Sequence, residues 1–152
     1  MESSNLPCPL HGAGTDPSSL IGRRLVRLTA SWHLFKDRPA DGPVDVWLAD
    51  DRGGSTLITT GSDRCLVVES SRPHDGYDMG ECGRIGVLPV HEGVPLADHL
   101  GEVVRGVQEE WDPRTGRVAL ELEFASRSVR CESGGDGDLH ILAARPLPRG
   151  KC

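Results

Sequence analysis

Residues 21–32 read IGRRLVRLTASW, and residues 100–111 read LGEVVRGVQEEW. Both stretches open on an apolar residue followed by Gly. Leu25, Leu28 and Trp32 in the first meet Val104, Val107 and Trp111 in the second at the same offsets, without a gap. The agreement continues downstream in the same order. Val44, Val46 and Leu48 are answered by Val118, Leu120 and Leu122. Gly61-Ser62-Asp63 followed by Leu66 and Val68 is answered by Gly134-Gly135-Asp136 followed by Leu139 and Ile141. Arg72-Pro73 closes one copy and Arg145-Pro146 the other, and the longest length difference falls between Trp32 and Val44. An ordered series of this kind, with a shared Trp, is the mark of an internal duplication.

Each copy reads as a four-stranded antiparallel meander. The first strand is ambiguous in period, because Leu100, Val104, Val107 and Trp111 would also line a helix face. The β-branched Val103, Val104 and Val107 and the interrupting Gly106 disfavour a helix there. In the first copy Val26, Leu28, Ala30 and Trp32 alternate as a strand does. Strand two is expected at 44–48 and 118–124, with Val44, Val46 and Leu48, and Val118, Leu120, Leu122 and Phe124, facing inward. Strand three is expected at 56–60 and 129–133, and strand four at 66–69 and 139–143. Asp112-Pro113-Arg114-Thr115-Gly116 has hairpin-turn chemistry, and Asp50 to Gly54 makes the equivalent turn. At most one short helix is expected, near Leu96 to Leu100. The fold class is all-β: two duplicated meanders with pseudo-twofold packing, as a sandwich or a partly open barrel. One meander alone leaves an apolar face exposed, so a core shared by both copies is expected.

The resulting organisation is a flexible tail at 1–19 and a single β domain at 20–146. That domain comprises repeats 21–73 and 100–146 and a connector, 74–99, with a loose end at 147–152. The connector carries a short strand at 85–90, belongs to neither repeat and is where function would be added.

Composition narrows the function. The 152-residue chain has a formal net charge of -6, which argues against a nucleic-acid partner. No apolar run is long enough to span a bilayer, and residues 1–10 lack the pattern of a secretory signal. The five cysteines are odd in number and are not spaced as a disulfide scaffold, which reads as a reduced, cytoplasmic protein. Basic residues are almost all Arg, a bias that reads as a GC-rich bacterial genome.

The chemistry-bearing motifs are thin. Cys8-Pro9-Leu10-His11 has the spacing of half a zinc site, and Cys82 is a third weak candidate ligand, but no second ligand pair accompanies them. Gly134-Gly135-Asp136-Gly137-Asp138 resembles a calcium repeat but is one residue short and lacks the acid spacing of an EF-hand loop, so it reads as a tight hairpin turn. No nucleophile elbow, phosphate loop or dinucleotide fingerprint is present, so no catalytic residue and no cofactor is assigned. Trp32 and Trp111 are paired by the duplication and read as core. Trp47 lies out of phase with Val46 and Leu48, either exposed as a contact residue or packed under the loop after Trp32. The candidate binding residues are therefore Trp47, His74, Asp75, Tyr77, Asp78 and Glu81. The expected function is a non-catalytic protein-binding module of a bacterial cytoplasm, an immunity- or inhibitor-type protein capping a basic partner. The alternative is a small-molecule-binding β-barrel, or a minor enzyme, using residues 74–81 as its pocket.

Overall fold

The computed structural model describes residues 15–36, 38–39, 42–61, 64–125, 127–133 and 138–143. The first repeat supplies β1 (Leu25–Phe35), β2 (Arg38–Pro39), β3 (Asp45–Asp50), β4 (Ser55–Thr60) and β5 (Leu66–Ser70). The connector supplies β6 (Tyr77–Asp78) and β7 (Arg84–Pro89). The second repeat supplies β8 (Gly106–Asp112), β9 (Gly116–Glu123), β10 (Ser128–Ser133) and β11 (Leu139–Ala143). Among the described residues, helix is confined to three short 3-10 segments, Pro17–Leu20, Gly80–Cys82 and Pro95–His99, where the sequence suggested one.

These strands form two antiparallel sheets that do not close into a barrel. One runs β5-β4-β3-β1-β7-β6, with β2 folded back on β1, and the other runs β11-β10-β9-β8. The ambiguous first segment of each repeat is a strand, β1 and β8. The two meanders agree residue for residue in register. Leu28 lies opposite Leu48 and Val46 opposite Ile58 in the first, as Val107 lies opposite Leu122 and Leu120 opposite Cys131 in the second. Ile58 opposite Val68 repeats as Cys131 opposite Ile141. Alternation fixes which side chains face inward. Leu28, Ala30, Val46, Leu48, Ile58, Leu66 and Val68 from one sheet therefore bury against Leu120, Leu122, Val129, Cys131 and Leu139 from the other. Val44 departs from the expected pattern and is exposed. It precedes β3 in a bend, its N–H already bonded to the Ser31 carbonyl, so strand alternation no longer sets its direction.

The pseudo-twofold relation is visible in the backbone. Gly22 N–H donates to Val104 O (2.8 Å), and its repeat equivalent Gly101 N–H donates to Leu25 O (2.7 Å). Leu25 N–H donates to Glu102 O (3.0 Å), and Val104 N–H donates to Arg23 O (2.9 Å). Arg24 and its equivalent Val103 form the bridge at the centre of this reciprocal set. Both glycines hold a φ of +90°, a conformation that other residues reach only at a cost. Each is preceded by a 3-10 turn. The Ile21 N–H to Ser18 O bond is repeated by Leu100 N–H to Ala97 O. The tail boundary drawn at residue 19 thus falls inside an ordered turn. Pro17 is buried, Asp16 caps the turn through Ser18 N–H, and Thr15 N–H donates to Val68 O.

The β3–β4 turn is built around Asp50, whose side chain is 0% exposed and salt-bridged to Arg23 at 3.0 Å. Burial pulls its pKa up, but hydrogen bonds from Arg52 N–H, the Arg23 guanidinium and Gly54 N–H outweigh that and hold it below the usual carboxylate value. A carboxylate with a depressed folded pKa stabilises the fold above its unfolded pKa, and that stabilisation fades as pH falls through the folded value. Wild-type chain is therefore expected to lose more stability between about pH 5 and pH 2 than Asp50→Asn. Urea midpoints across that range measure this; parallel curves would remove Asp50 from the acid limb.

Candidate functional site

The outer face of the larger sheet gathers part of the expected site. Thr29 of β1, Trp47 of β3 and Leu57 of β4 lie side by side on that face, away from the core. Trp47 is only 2% exposed, so it is not itself a surface contact. It is covered by the start of the connector rather than by the loop after Trp32. The His74 ring meets it edge-on at 5.3 Å, and Arg72 and Pro73 line a shallow groove with it. Tyr77 lies 5.7 Å from His74 and remains 59% exposed. Its strand β6 pairs with β7, which in turn pairs with β1, so the hairpin holds Tyr77 at a fixed place opposite the buried Ile85. The connector is thus an extension of the first sheet.

Gly76 is what lets the chain make this approach. Its φ is +89°, and a Cβ there would stand 2.3 Å from the Ile85 carbonyl oxygen. Asp78 accepts the Gly80 N–H at 2.8 Å and so shapes the turn into the Gly80–Cys82 segment. Asp75, Asp78 and Glu81 are all exposed. Of the six candidate residues, Trp47, His74 and Tyr77 are therefore in one aromatic cluster, and Asp75, Asp78 and Glu81 are exposed residues of the same connector.

Ser31, Asp45 and His74, the residue types of a hydrolytic triad, also meet here. Their order is wrong for that chemistry. Ser31 Oγ donates to Asp45 Oδ2 at 2.7 Å and is fully buried, so its hydroxyl is committed to the acid and not to an imidazole base. His74 Nδ1 accepts the Gly76 N–H at 2.9 Å, which leaves Nε2 directed towards Asp45 Oδ2 at 3.9 Å. The trio fastens the connector to β1 and β3.

The metal candidates do not assemble among the described residues. Cys8 and His11 lie outside those residues. Cys82 is an exposed free thiol, and its carbonyl accepts from His33 Nε2 at 2.6 Å. No group of three His, Cys, Asp or Glu that could hold a metal occurs among the described residues. The calcium-like segment 134–137 is likewise outside them. Cys131 is free and buried, and burial pushes its thiol up to about 12, so it behaves as a core residue. Cys65 is disulfide-bonded, a bond the cysteine spacing did not announce.

A cleft of about 570 Å³ opens at one end of the sandwich, lined by Trp32, His33, Val94 and His140 among others. It is formed by the two repeats and the stretch after β7, away from the aromatic cluster. The feature sequence reasoning missed is Arg117, almost fully buried between the sheets. Its Nε donates to Glu109 at 2.7 Å, its guanidinium lies 5.0 Å from the Trp111 ring centre, and Nη1 donates to Leu66 O across the sandwich. The signal was its neighbourhood on an apolar strand, Val118 to Leu122, beside the repeated Trp.

No protein-family model and no solved structure matches the chain. It is similar to the structural polyprotein of Alphavirus salmon subtype 2, 33% identical over 100 residues that make up 63% of this chain and 6% of the polyprotein. The structural polyproteins of subtypes 1 and 3 are each 32% identical over 100 residues, again 63% of this chain and 6% of theirs. The chain thus spans a small fraction of these relatives. These relatives are viral structural proteins, a finding that corrects the expectation of a bacterial source and of an immunity protein. The Arg-rich composition reports base composition, which bacteria do not own. An acidic β protein without an active-site motif fits structural proteins as readily as inhibitors.

No helix among the described residues is long and apolar enough to cross a membrane.

Proposed function

We propose that this chain is a non-catalytic, protein-binding β-sandwich, a structural module that binds its partner protein through the outer face of the larger sheet. The carrying observation is the aromatic cluster: an exposed Tyr77 ring and a half-exposed His74 supported from below by buried Trp47. Aromatic groups held rigidly at a surface make contact area at little entropic cost and dominate binding energies. The exposed carboxylates Asp75, Asp78 and Glu81 of the same connector favour a partner surface carrying Lys and Arg. The similarity to structural polyproteins supports an assembly role over a catalytic one.

The test is retention of partners from native extract by the full chain and by Tyr77→Ala. A stoichiometric protein partner is expected, bound at least about tenfold more weakly by Tyr77→Ala, with the melting temperature unchanged. Absence of such a partner, or equal retention by both chains, overturns the proposal.

A further inference from the structure

The two repeats differ at the edges of their first strands. β1 carries β7 along its edge, in a ladder from Thr29 opposite Pro89 to Leu34 opposite Arg84. The ladder runs on past β7, where Val90 N–H donates to Leu28 O at 2.8 Å. β8 is the counterpart of β1, and among the described residues it ends its sheet. Val107 and Glu109 hold the places of Leu28 and Ala30. Peptide groups alternate in direction along a strand, so the N–H and C=O groups of Val107 and Glu109 turn away from β9, as those of Leu28 and Ala30 turn to β7. Glu109 is an exposed residue although its side chain is only 23% exposed, so much of its exposure is that of its peptide group.

A strand edge open to solvent is a template for one more strand. The first repeat shows how such a strand lies. It runs antiparallel, with Leu88 on the face of buried Ala30 and Pro89 on the outer face with Thr29.

Charge decides what the edge of β8 accepts. On the outer face of the smaller sheet, Gln108, Glu121 and Arg130 lie side by side, and Glu110 and Glu132 flank Ala119. Arg130 is shared between Glu110 and Glu132. Glu121 and Glu123 accept from neutral groups, the Ser128 hydroxyl and the Gln108 amide. With Glu110, Glu121, Glu123 and Glu132 set against Arg130, this face is net acidic. A second copy therefore suits the edge poorly. Antiparallel pairing of β8 with itself about Glu109 sets Glu109 against Glu109 and joins two acidic faces, and like charges opposite each other destabilise a strand pair. The same charges favour a strand that carries Lys or Arg.

We propose that the edge of β8 is a docking site for an extended segment of a partner protein, which adds as a fifth antiparallel strand and alternates Lys or Arg with apolar residues. Its apolar side chains lie beside Val107 and Glu109, as Val90 and Leu88 lie beside Leu28 and Ala30 in the first repeat. Its basic side chains lie beside Gln108 and Glu110, over the acidic face. Its backbone accepts from the N–H groups of Val107 and Glu109 and donates to their carbonyls. The edge belongs to the smaller sheet, so this site is independent of the aromatic cluster on the larger one.

The probe is the hexapeptide KVKVKV, acetylated and amidated, added in excess to the full chain and followed by amide hydrogen exchange. The Val107 and Glu109 amides are expected to exchange at least about tenfold more slowly with peptide, while the Gln108 amide, directed to β9, is unchanged. The hexapeptide EVEVEV is expected to protect neither. Glu110→Gln combined with Glu121→Gln is expected to weaken KVKVKV binding at least about threefold. Unchanged exchange at Val107 and Glu109, equal protection by the two peptides, or equal affinity in the double variant overturns the proposal.

Discussion

Leu48→Ala and Leu122→Ala are each expected to cost about 2–5 kcal/mol of stability, the range for emptying a fully buried leucine site. The two residues occupy the same position in the two repeats, opposite Leu28 and Val107, and both are 0% exposed. They lie in one apolar cluster that also contains Ile58, Val68, Val129 and Cys131. Each substitution removes contacts from side chains of both sheets, so each should lower the same single transition. For a chain of this size, a loss of about 3 kcal/mol moves the melting temperature by roughly 6–12 °C. Thermal melts followed by circular dichroism read both quantities. Two transitions, with each variant moving only one, would show two independent halves and sink the shared core.

Trp47→Ala is expected to cost about 3–5 kcal/mol, as loss of a buried indole does, although the residue is outside that core. Its ring packs on the opposite face of β3, beneath His74, Arg72 and Pro73. Removing it leaves the connector unsupported at the point where it joins the sheet, so partner retention should fall as in Tyr77→Ala. Trp47→Phe keeps a ring against His74 and should lose about 1 kcal/mol. Urea unfolding of the two variants distinguishes them. A Trp47→Ala chain within about 1 kcal/mol of wild type would remove Trp47 as the support of the cluster.

The contrast between these two residues shows what was readable in the sequence. Leu48 and Leu122 announce themselves because strand alternation has a period of two, and the duplication presents the pattern twice. The paired strands then fall into identical register. Trp47 breaks the alternation, and sequence alone offers no way to tell an exposed outer-face side chain from a covered one. What covers it is a Pro-Gly-rich stretch with little apolar character, brought there by the pairing of β7 with β1. That pairing links residues fifty or more positions apart, and no local signal encodes it. Val44 failed for the opposite reason: it continues the pattern in sequence but stands one residue before the strand begins. Arg117 was overlooked because a charged residue at a strand start reads as solvated until Glu109, Trp111 and the Leu66 carbonyl are seen to surround it. The turn at Pro17–Leu20 was hidden by Ser and Pro, which read as loose chain although Pro17 and Leu20 are buried.

The reciprocal bonds between residues 22–25 and 101–104 have the form of a contact between identical subunits, each half giving to the other what it receives. Such a contact is blind to whether its halves belong to one polypeptide. The exposed stretch 91–93 is what keeps them together, since Val90 and β7 on one side and Val94 and the 3-10 turn on the other are each committed to the sandwich. Crowded chains could therefore trade second halves through that stretch and recover every bond of the monomer, giving a domain-swapped dimer with no new interface to evolve.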